Sequence, residues 1–327
     1  MACDVDVVPA DVEVFRRFKL PERGPSYNDR LECRGTGCIR AHACSTRVAR
    51  PSASCPSRLP CDTTLKGYSA TMNDVAPPGE LWLRRYAPSD DAAVRLVCFP
   101  HAGGSASYFA PTARALAPSV DVLAVQYPGR QDRYREPCVD NVQELARLST
   151  LALRDSTDRP FALFGHSLGA IVAYEVARNL AAAGADGPVH LFLSGRRAPS
   201  HHRDEFVHLM SDEALIAEVG ALGGTSPQIL ADPDMREIFL PALRSDYRAA
   251  ETYRHGAGVS VRCPVTALTG DRDPRTSLDE AAAWEAHAPA GAFELLVFGG
   301  DHFFLTSKAD EVVTSLRERL SAFTTSA

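Results

Sequence analysis

The stretch LFGHSLGAIVAYEVA, residues 163–177, sets Ser167 between Gly165 and Gly169, straight after the apolar run FALF and straight before a pattern of helical period. Three fixed positions carry little alone, because at about 7% per residue type a chain of this length matches them by chance roughly one time in ten. Context adds the specificity. A serine displayed at a sharp strand-to-helix turn sits on strained backbone that only flanking glycines leave room for, and here the strand, the turn and the helix follow in that order. Ser167 is therefore either a nucleophile or an ordinary serine in a tight turn, and the rest of the chain has to decide between them.

The neighbouring sequence repeats the same rhythm. Short β-rich runs occur at 94–99 (VRLVCF), 120–127 (VDVLAVQY), 161–164 (FALF), 189–194 (VHLFLS), 265–269 (VTALT) and 293–298 (FELLVF). Helical patterns around 108–117, 141–154, 170–183, 278–288 and 309–322 follow most of them. Apolar strands without clean alternation, separated by helices, imply an α/β fold whose mostly parallel sheet is covered on both faces. A long stretch of short helical patterns interrupts the rhythm between Ser194 and Val265. An insertion at about 197–260, at the strand ends where such sheets bind ligands, reads as a helical lid.

A hydroxyl at its normal pKa is a poor nucleophile, so Ser167 needs a base and a group to orient that base. In the α/β-hydrolase order the acid and then the histidine follow the serine, each in a loop after a late strand. The run VTALT leads into GDRDP, with Asp271 and Asp273, and FELLVF leads into GGDHFFL, with His302. Asp273 is the expected acid, being a few residues past its strand, with Asp271 in reserve; His302 is the expected base. Taken singly, an aspartate in such a turn is mostly turn chemistry and a histidine in a glycine-rich loop mostly surface decoration. An oxyanion hole would take one backbone N–H from Leu168 and a second from the loop FPHAGGSASYF, assigned to Ala102. His101 lies in that loop but precedes the serine and fits a structural role.

Composition bounds the rest. The 327 residues carry a formal charge of -6, against a nucleic-acid partner, and 45% are hydrophobic, enough for a substantial core. No apolar run nears the roughly 18 residues of a membrane span, and the N-terminal sequence lacks the basic-then-apolar order of a secretory signal, so a cytoplasmic location is expected. Six of the nine cysteines fall between Cys3 and Cys61 without C-x-x-C spacing, which favours free thiols over a metal site. Residues 1–75, rich in Arg, Cys, Ser and Pro and without sustained periodicity, read as a disordered extension, or as a leader translated ahead of a natural start at Met72. The body is expected to be one domain at 76–327.

The motifs CFPHAGGSASYF, VQYPGRQDRYREP, FGHSLGA, LSGRRAP, LPALRSDYRAAETY, ALTGDRDP and GGDHFFL together resemble the type II thioesterases that accompany polyketide synthases and nonribosomal peptide synthetases. The resemblance runs over most of residues 80–323, and residues 1–75 have no counterpart in it. It implies an α/β-hydrolase fold and hydrolysis of acyl groups held as thioesters on the phosphopantetheine arm of acyl or peptidyl carrier proteins, an editing activity that clears stalled or wrongly primed chains. It places the triad on Ser167, Asp273 and His302 and the oxyanion donors on Ala102 and Leu168, with no metal and no cofactor of the enzyme's own. Arg203, Arg236, Arg244, Arg248 and Arg254 in the insertion are candidates for steering an acidic carrier toward the entrance. The rival readings are a free-standing carboxylesterase or lipase acting on small oxygen esters, and a non-catalytic binding protein of hydrolase fold.

Overall fold

In VRLVCF both sets of alternating residues are apolar, and the structure uses both. Val97 and Phe99 enter one core beneath the sheet while Val94, Leu96 and Cys98 enter another on the opposite face. A strand buried on both faces requires helices on each side. The computed structural model describes residues 79–224, 231–256 and 258–324. Expectations for residues 1–75, including the disordered extension and the Met72 start, lie outside the described residues.

Seven strands form one sheet: β1 (Leu83–Arg84), β2 (Val94–Phe99), β3 (Val120–Val125), β4 (Phe161–His166), β5 (His190–Ser194), β6 (Val265–Gly270) and β7 (Phe293–Phe298). Their order across the sheet is β1-β3-β2-β4-β5-β6-β7, with β1 antiparallel to β3 and every other pair parallel. The six parallel strands lie on the six runs read from the sequence. β1 was not expected, since two residues are too short to show a period.

The helices are α1 (Gly79–Trp82), α2 (Ala110–Leu116), α3 (Val142–Ala152), α4 (Leu168–Ala182), α5 (Asp212–Leu222), α6 (Pro233–Thr252), α7 (Leu278–Ala282), α8 (Phe304–Ser307) and α9 (Ala309–Thr324). Residues of α3 and α4 pack with Trp284 on one face of the sheet, and residues of α2 and α9 on the other. Helix α6 starts cleanly: Asp232 accepts from the N–H groups of Asp234 and Met235, and Pro233 takes the first position, where its missing N–H costs nothing. The expected helix at 278–288 breaks after Ala282 into a tighter 3-10 turn over Ala283–His287.

The strand order locates the site. From β2 the chain moves to β3 on one side and then crosses back to β4 on the other, so the loops after β2 and β4 leave in opposite directions and open a crevice at their carboxyl ends. The insertion between β5 and β6, containing α5 and α6, is carried at this end of the sheet.

Candidate active site

Ser167 follows the last residue of β4 and precedes the first residue of α4, with φ 55° and ψ −114°. A non-glycine residue in this region costs on the order of 1–3 kcal/mol and persists only where its surroundings impose it. They do so here through two different clearances. A Cβ on Gly165 would lie 2.1 Å from the Gly169 carbonyl oxygen, and one on Gly169 would lie 2.0 Å from that of Phe99 at the end of β2. Gly165 thus lets the turn fold onto its own helix, and Gly169 lets that helix abut the neighbouring strand. The Ser167 N–H donates to the Ser194 carbonyl at 2.8 Å, but its side chain makes no cap to the helix. The hydroxyl is therefore not spent on capping the helix.

His302 and Asp273 meet as the sequence order suggested: His302 Nδ1 and Asp273 Oδ2 are 2.9 Å apart and both side chains are buried. Their loops come together because β6 ends in Gly270, where a Cβ would lie 2.3 Å from the Asp301 carbonyl oxygen. The other Asp273 oxygen accepts the Arg275 N–H at 2.7 Å, which fixes the carboxylate plane. Asp271 is exposed and accepts the Gly300 N–H at 2.8 Å, so it braces the 299–302 turn from outside and does not face the imidazole.

Ser167, Leu168, Ala102 and His302 line one cavity of about 40 Å³, together with Tyr247 and Glu251 of the insertion. With Nδ1 bound to Asp273, the His302 Nε2 is the ring nitrogen left for the cavity. The first N–H groups of α4 have no partner within the helix and form its positive end, so negative charge developing beside Ser167 would be stabilised.

The loop after β2 closes the other side. Gly103 has φ 75°, and its N–H donates to Asp246 of α6 at 2.8 Å. Arg130 of the YPGR motif binds the same carboxylate with both terminal nitrogens, at 2.7 and 2.9 Å. Gln126 accepts from the Ala106 N–H at 2.8 Å and donates to the Arg130 carbonyl at 3.1 Å. His101 is buried edge-on to Tyr108, His166 and Phe303. Burial, assisted by His302 and Arg130, pushes His101 down to about 3, and burial holds His166 well below the usual histidine range. Both stay neutral near neutral pH.

The sequence did not announce the Arg130–Asp246 pair, although both motifs were in view. Its trace is an acidic residue on the apolar stripe of α6: Phe239, Leu243 and Asp246 share one helix face, and a charge there must be paired. Arg196 was also missed. It lines the cavity, its Nη2 donates only to the Ala250 carbonyl at 3.3 Å, its buried Nε has no partner, and burial, with Arg197, lowers it to about 10.

The candidate steering arginines are tied to carboxylates: Arg203 to Glu280, Arg244 to Asp212, Arg248 to Asp140 and Arg254 to Asp204. Arg244 also donates to the His208 and Met210 carbonyls and so braces the chain entering α5. The outward field of the insertion is smaller than its arginine count implies. Cys98, Cys138 and Cys263 carry free thiols, and the other six cysteines lie outside the described residues. Among the described residues no helix is long and apolar enough to cross a membrane.

A mostly parallel sheet with helices on both faces, and a strained serine at the turn from β4 to α4, define an α/β-hydrolase. Residues 94–320 match the thioesterase domain family, to which the chain belongs; it is a thioester hydrolase. It is 48% identical over 241 residues to the thioesterase PikA5 of Streptomyces venezuelae, covering 73% of this chain and 85% of that protein. A probable cadicidin biosynthesis thioesterase of Streptomyces griseus is 42% identical over 308 residues, covering 93% of this chain and 84% of the relative. Among solved structures, the type II thioesterase BorB from the borrelidin biosynthetic cluster superposes with a TM-score of 0.69 at 48% identity, covering 73% of this chain and 98% of BorB.

The Streptomyces griseus match corrects one expectation. It covers 93% of this chain, more than the body at 76–327 can supply, so it takes in much of the stretch 1–75. That stretch therefore has a counterpart in at least one relative.

Proposed function

We propose that the chain hydrolyses acyl thioesters held on the phosphopantetheine arm of acyl or peptidyl carrier proteins, clearing misprimed or stalled chains in polyketide or nonribosomal peptide biosynthesis. The observation that carries the chemistry is that His302, bound to the buried Asp273, lines one cavity with a serine whose hydroxyl is free of capping duty. The biosynthetic setting is supported by relatives whose names place them in such clusters.

In this proposal Ser167 Oγ attacks the thioester carbonyl as His302 Nε2 takes its proton, and Asp273 holds the ring in the tautomer that leaves Nε2 basic. The carbonyl oxygen becomes an oxyanion held by the N–H groups of Leu168 and Ala102. On collapse the C–S bond breaks and His302 returns the proton to the pantetheine thiolate. Water then attacks the acyl-serine with His302 again as base, releasing the acid and restoring Ser167. Nothing in this sequence of steps calls for a metal or for a cofactor of the enzyme's own; the phosphopantetheine belongs to the carrier.

Tyr247 and Glu251 of the insertion line the cavity beside Ser167, and on this reading the insertion is the cover of the acyl site. Because most insertion arginines are already paired, carrier recognition on this reading rests on the shape and apolar surface of the entrance more than on a basic field. Phe206, Leu209 and Met210, all exposed, lie on the chain leading into α5. A cytoplasmic location goes with partners of this kind.

The test compares hydrolysis of an acyl-loaded carrier protein with that of the same acyl group as a p-nitrophenyl ester, using wild type and Ser167→Ala. Preference for the carrier-bound thioester together with an inactive variant is the expected result. A faster reaction with the simple ester transfers the assignment to a general carboxylesterase, and an active Ser167→Ala removes the mechanism.

A further inference from the structure

Asp246 sits mid-way along α6 and is completely buried. Taking a carboxylate out of water costs several kcal/mol, so where its bonds go shows what it is for. One oxygen accepts the Gly103 N–H at 2.8 Å and Arg130 Nη1 at 2.7 Å; the other accepts Arg130 Nη2 at 2.9 Å. Arg130 Nη1 also reaches the Gly104 carbonyl at 3.0 Å. The carboxylate and its partner thus hold the peptide units that flank the Gly103–Gly104 pair, the Ala102–Gly103 unit by its N–H and the Gly104–Ser105 unit by its carbonyl.

Packing points the same way. A Cβ on Gly103 would lie 2.8 Å from Phe239 Cζ and 2.9 Å from Leu243 Cδ1, so the face of α6 that carries Asp246 rests directly on the Gly103 backbone. The turn that presents Arg130 is itself unusual. Gln131 has φ 49°, one of only two non-glycine residues with positive φ among the described residues, the other being Ser167. Its side chain donates to Ser107 Oγ at 2.8 Å, on the same loop.

We propose that Asp246 is a positioning residue for the oxyanion loop. By holding Gly103 and, through Arg130, Gly104, it fixes where the adjoining Ala102 N–H points, and so makes the oxyanion hole depend on the seating of the insertion helix. This rests on the assignment of Ala102 as an oxyanion donor. A helix that covers the site therefore also completes it, and an enzyme whose α6 is displaced loses transition-state stabilisation as well as its cover.

The experiment compares Asp246→Asn with Glu175→Gln in the full chain. Glu175 is another buried carboxylate, bound to Arg178 at 2.7 Å and Tyr253 at 2.6 Å, and it does not touch the oxyanion loop. Each variant is titrated to endpoint with a fluorophosphonate to count competent Ser167, and kcat and KM per titrated site are measured with a propionyl thioester of N-acetylcysteamine, alongside Tm. Asp246→Asn is expected to lower kcat per site by about ten- to a hundredfold with KM within about threefold, because displacing an oxyanion donor acts on the transition state. Glu175→Gln should lower Tm while keeping kcat per site within about twofold.

If Asp246→Asn retains kcat per site, or if Glu175→Gln loses as much, Asp246 is only fold glue and the inference is wrong. Should Asp246→Asn fail to fold, Arg130→Lys serves, since lysine keeps the charge but not the two-nitrogen contact that fixes the Asp246 carboxylate. A several-fold fall in kcat per site supports the proposal and an unchanged value overturns it. Failure of the underlying mechanism shows separately, as a wild type that leaves the thioester intact or a Ser167→Ala variant that still turns over.

Discussion

Replacing Asp273 by Asn changes one atom and should abolish most of the activity for a reason visible in the local hydrogen bonds. Asp273 Oδ1 accepts the Arg275 backbone N–H at 2.7 Å, while Oδ2 is 2.9 Å from His302 Nδ1. The Arg275 N–H is fixed and can only donate, so an asparagine must turn its carbonyl oxygen toward it and its NH2 toward His302. The imidazole then has to accept at Nδ1, and its proton moves to Nε2. In that tautomer His302 cannot take a proton from Ser167. The same inversion in a Ser-His-Asp site lowers kcat by about 10⁴, which is about 5.4 kcal/mol on the barrier at about 1.36 kcal/mol per decade. Asp271→Asn is the matched control, because its carbonyl oxygen can still accept the Gly300 N–H that Asp271 holds at 2.8 Å. The assay is thiol release from an acyl thioester at pH 7.5, with near-ultraviolet circular dichroism to establish that each variant is folded. A folded Asp273→Asn retaining more than about a tenth of wild-type kcat, or an equal loss in Asp271→Asn, would refute the assignment of acid and reserve.

Gly169→Ala forces a methyl to within 2.0 Å of the Phe99 carbonyl oxygen, so α4 must withdraw by more than about 1 Å and carry the Leu168 N–H with it. A fall in kcat of about a hundredfold per folded molecule is expected, and a variant within about threefold of wild type would show that the elbow tolerates the shift. The neutral histidines set a pH dependence of stability. An unfolded chain protonates His101 and His166 near pH 6.5 while the folded chain does not, so the native state binds fewer protons below that pH. Their contribution is intact above about pH 6.5 and declines as pH falls, by at most about 1.4 kcal/mol per histidine per pH unit. Urea midpoints between pH 7.5 and 5 at constant ionic strength, a range above most carboxylate titration, should therefore drop, and a flat profile would count against neutral burial. Burial raises the Cys98 thiol far above its usual range and pushes Cys263 up to about 12, so iodoacetamide at pH 8 should leave both unmodified in the folded protein and alkylate both in urea. Modification of Cys98 without unfolding would contradict its burial.

Much of the fold was legible because its signals are local. Strands buried on both faces read as apolar runs, and a nucleophile elbow is a contiguous pattern whose glycines are demanded by contacts within a few residues or with the adjoining strand. The order of serine, acid and histidine also survives in the linear chain, since each follows its own strand. What the sequence could rank only by position, the structure separates by contact. Asp271 and Asp273 differ by two positions in one turn, and only the tight approach of the loops at Gly270 and Asp301 turns one carboxylate toward His302 and the other toward the Gly300 N–H.

By itself, then, the sequence determined the class of protein: a doubly covered parallel sheet, a serine on a strained turn, and an aspartate and a histidine after later strands in sequential order. The tertiary structure alone decided how the loop after β2 is held. Arg130 and Asp246 lie 116 positions apart, and although the apolar stripe of α6 says that Asp246 needs a partner, neither segment names it. They become a buried pair only when α6 packs across the end of β2, because a charge excluded from water must find its partner in space and leaves no mark of that partner along the chain.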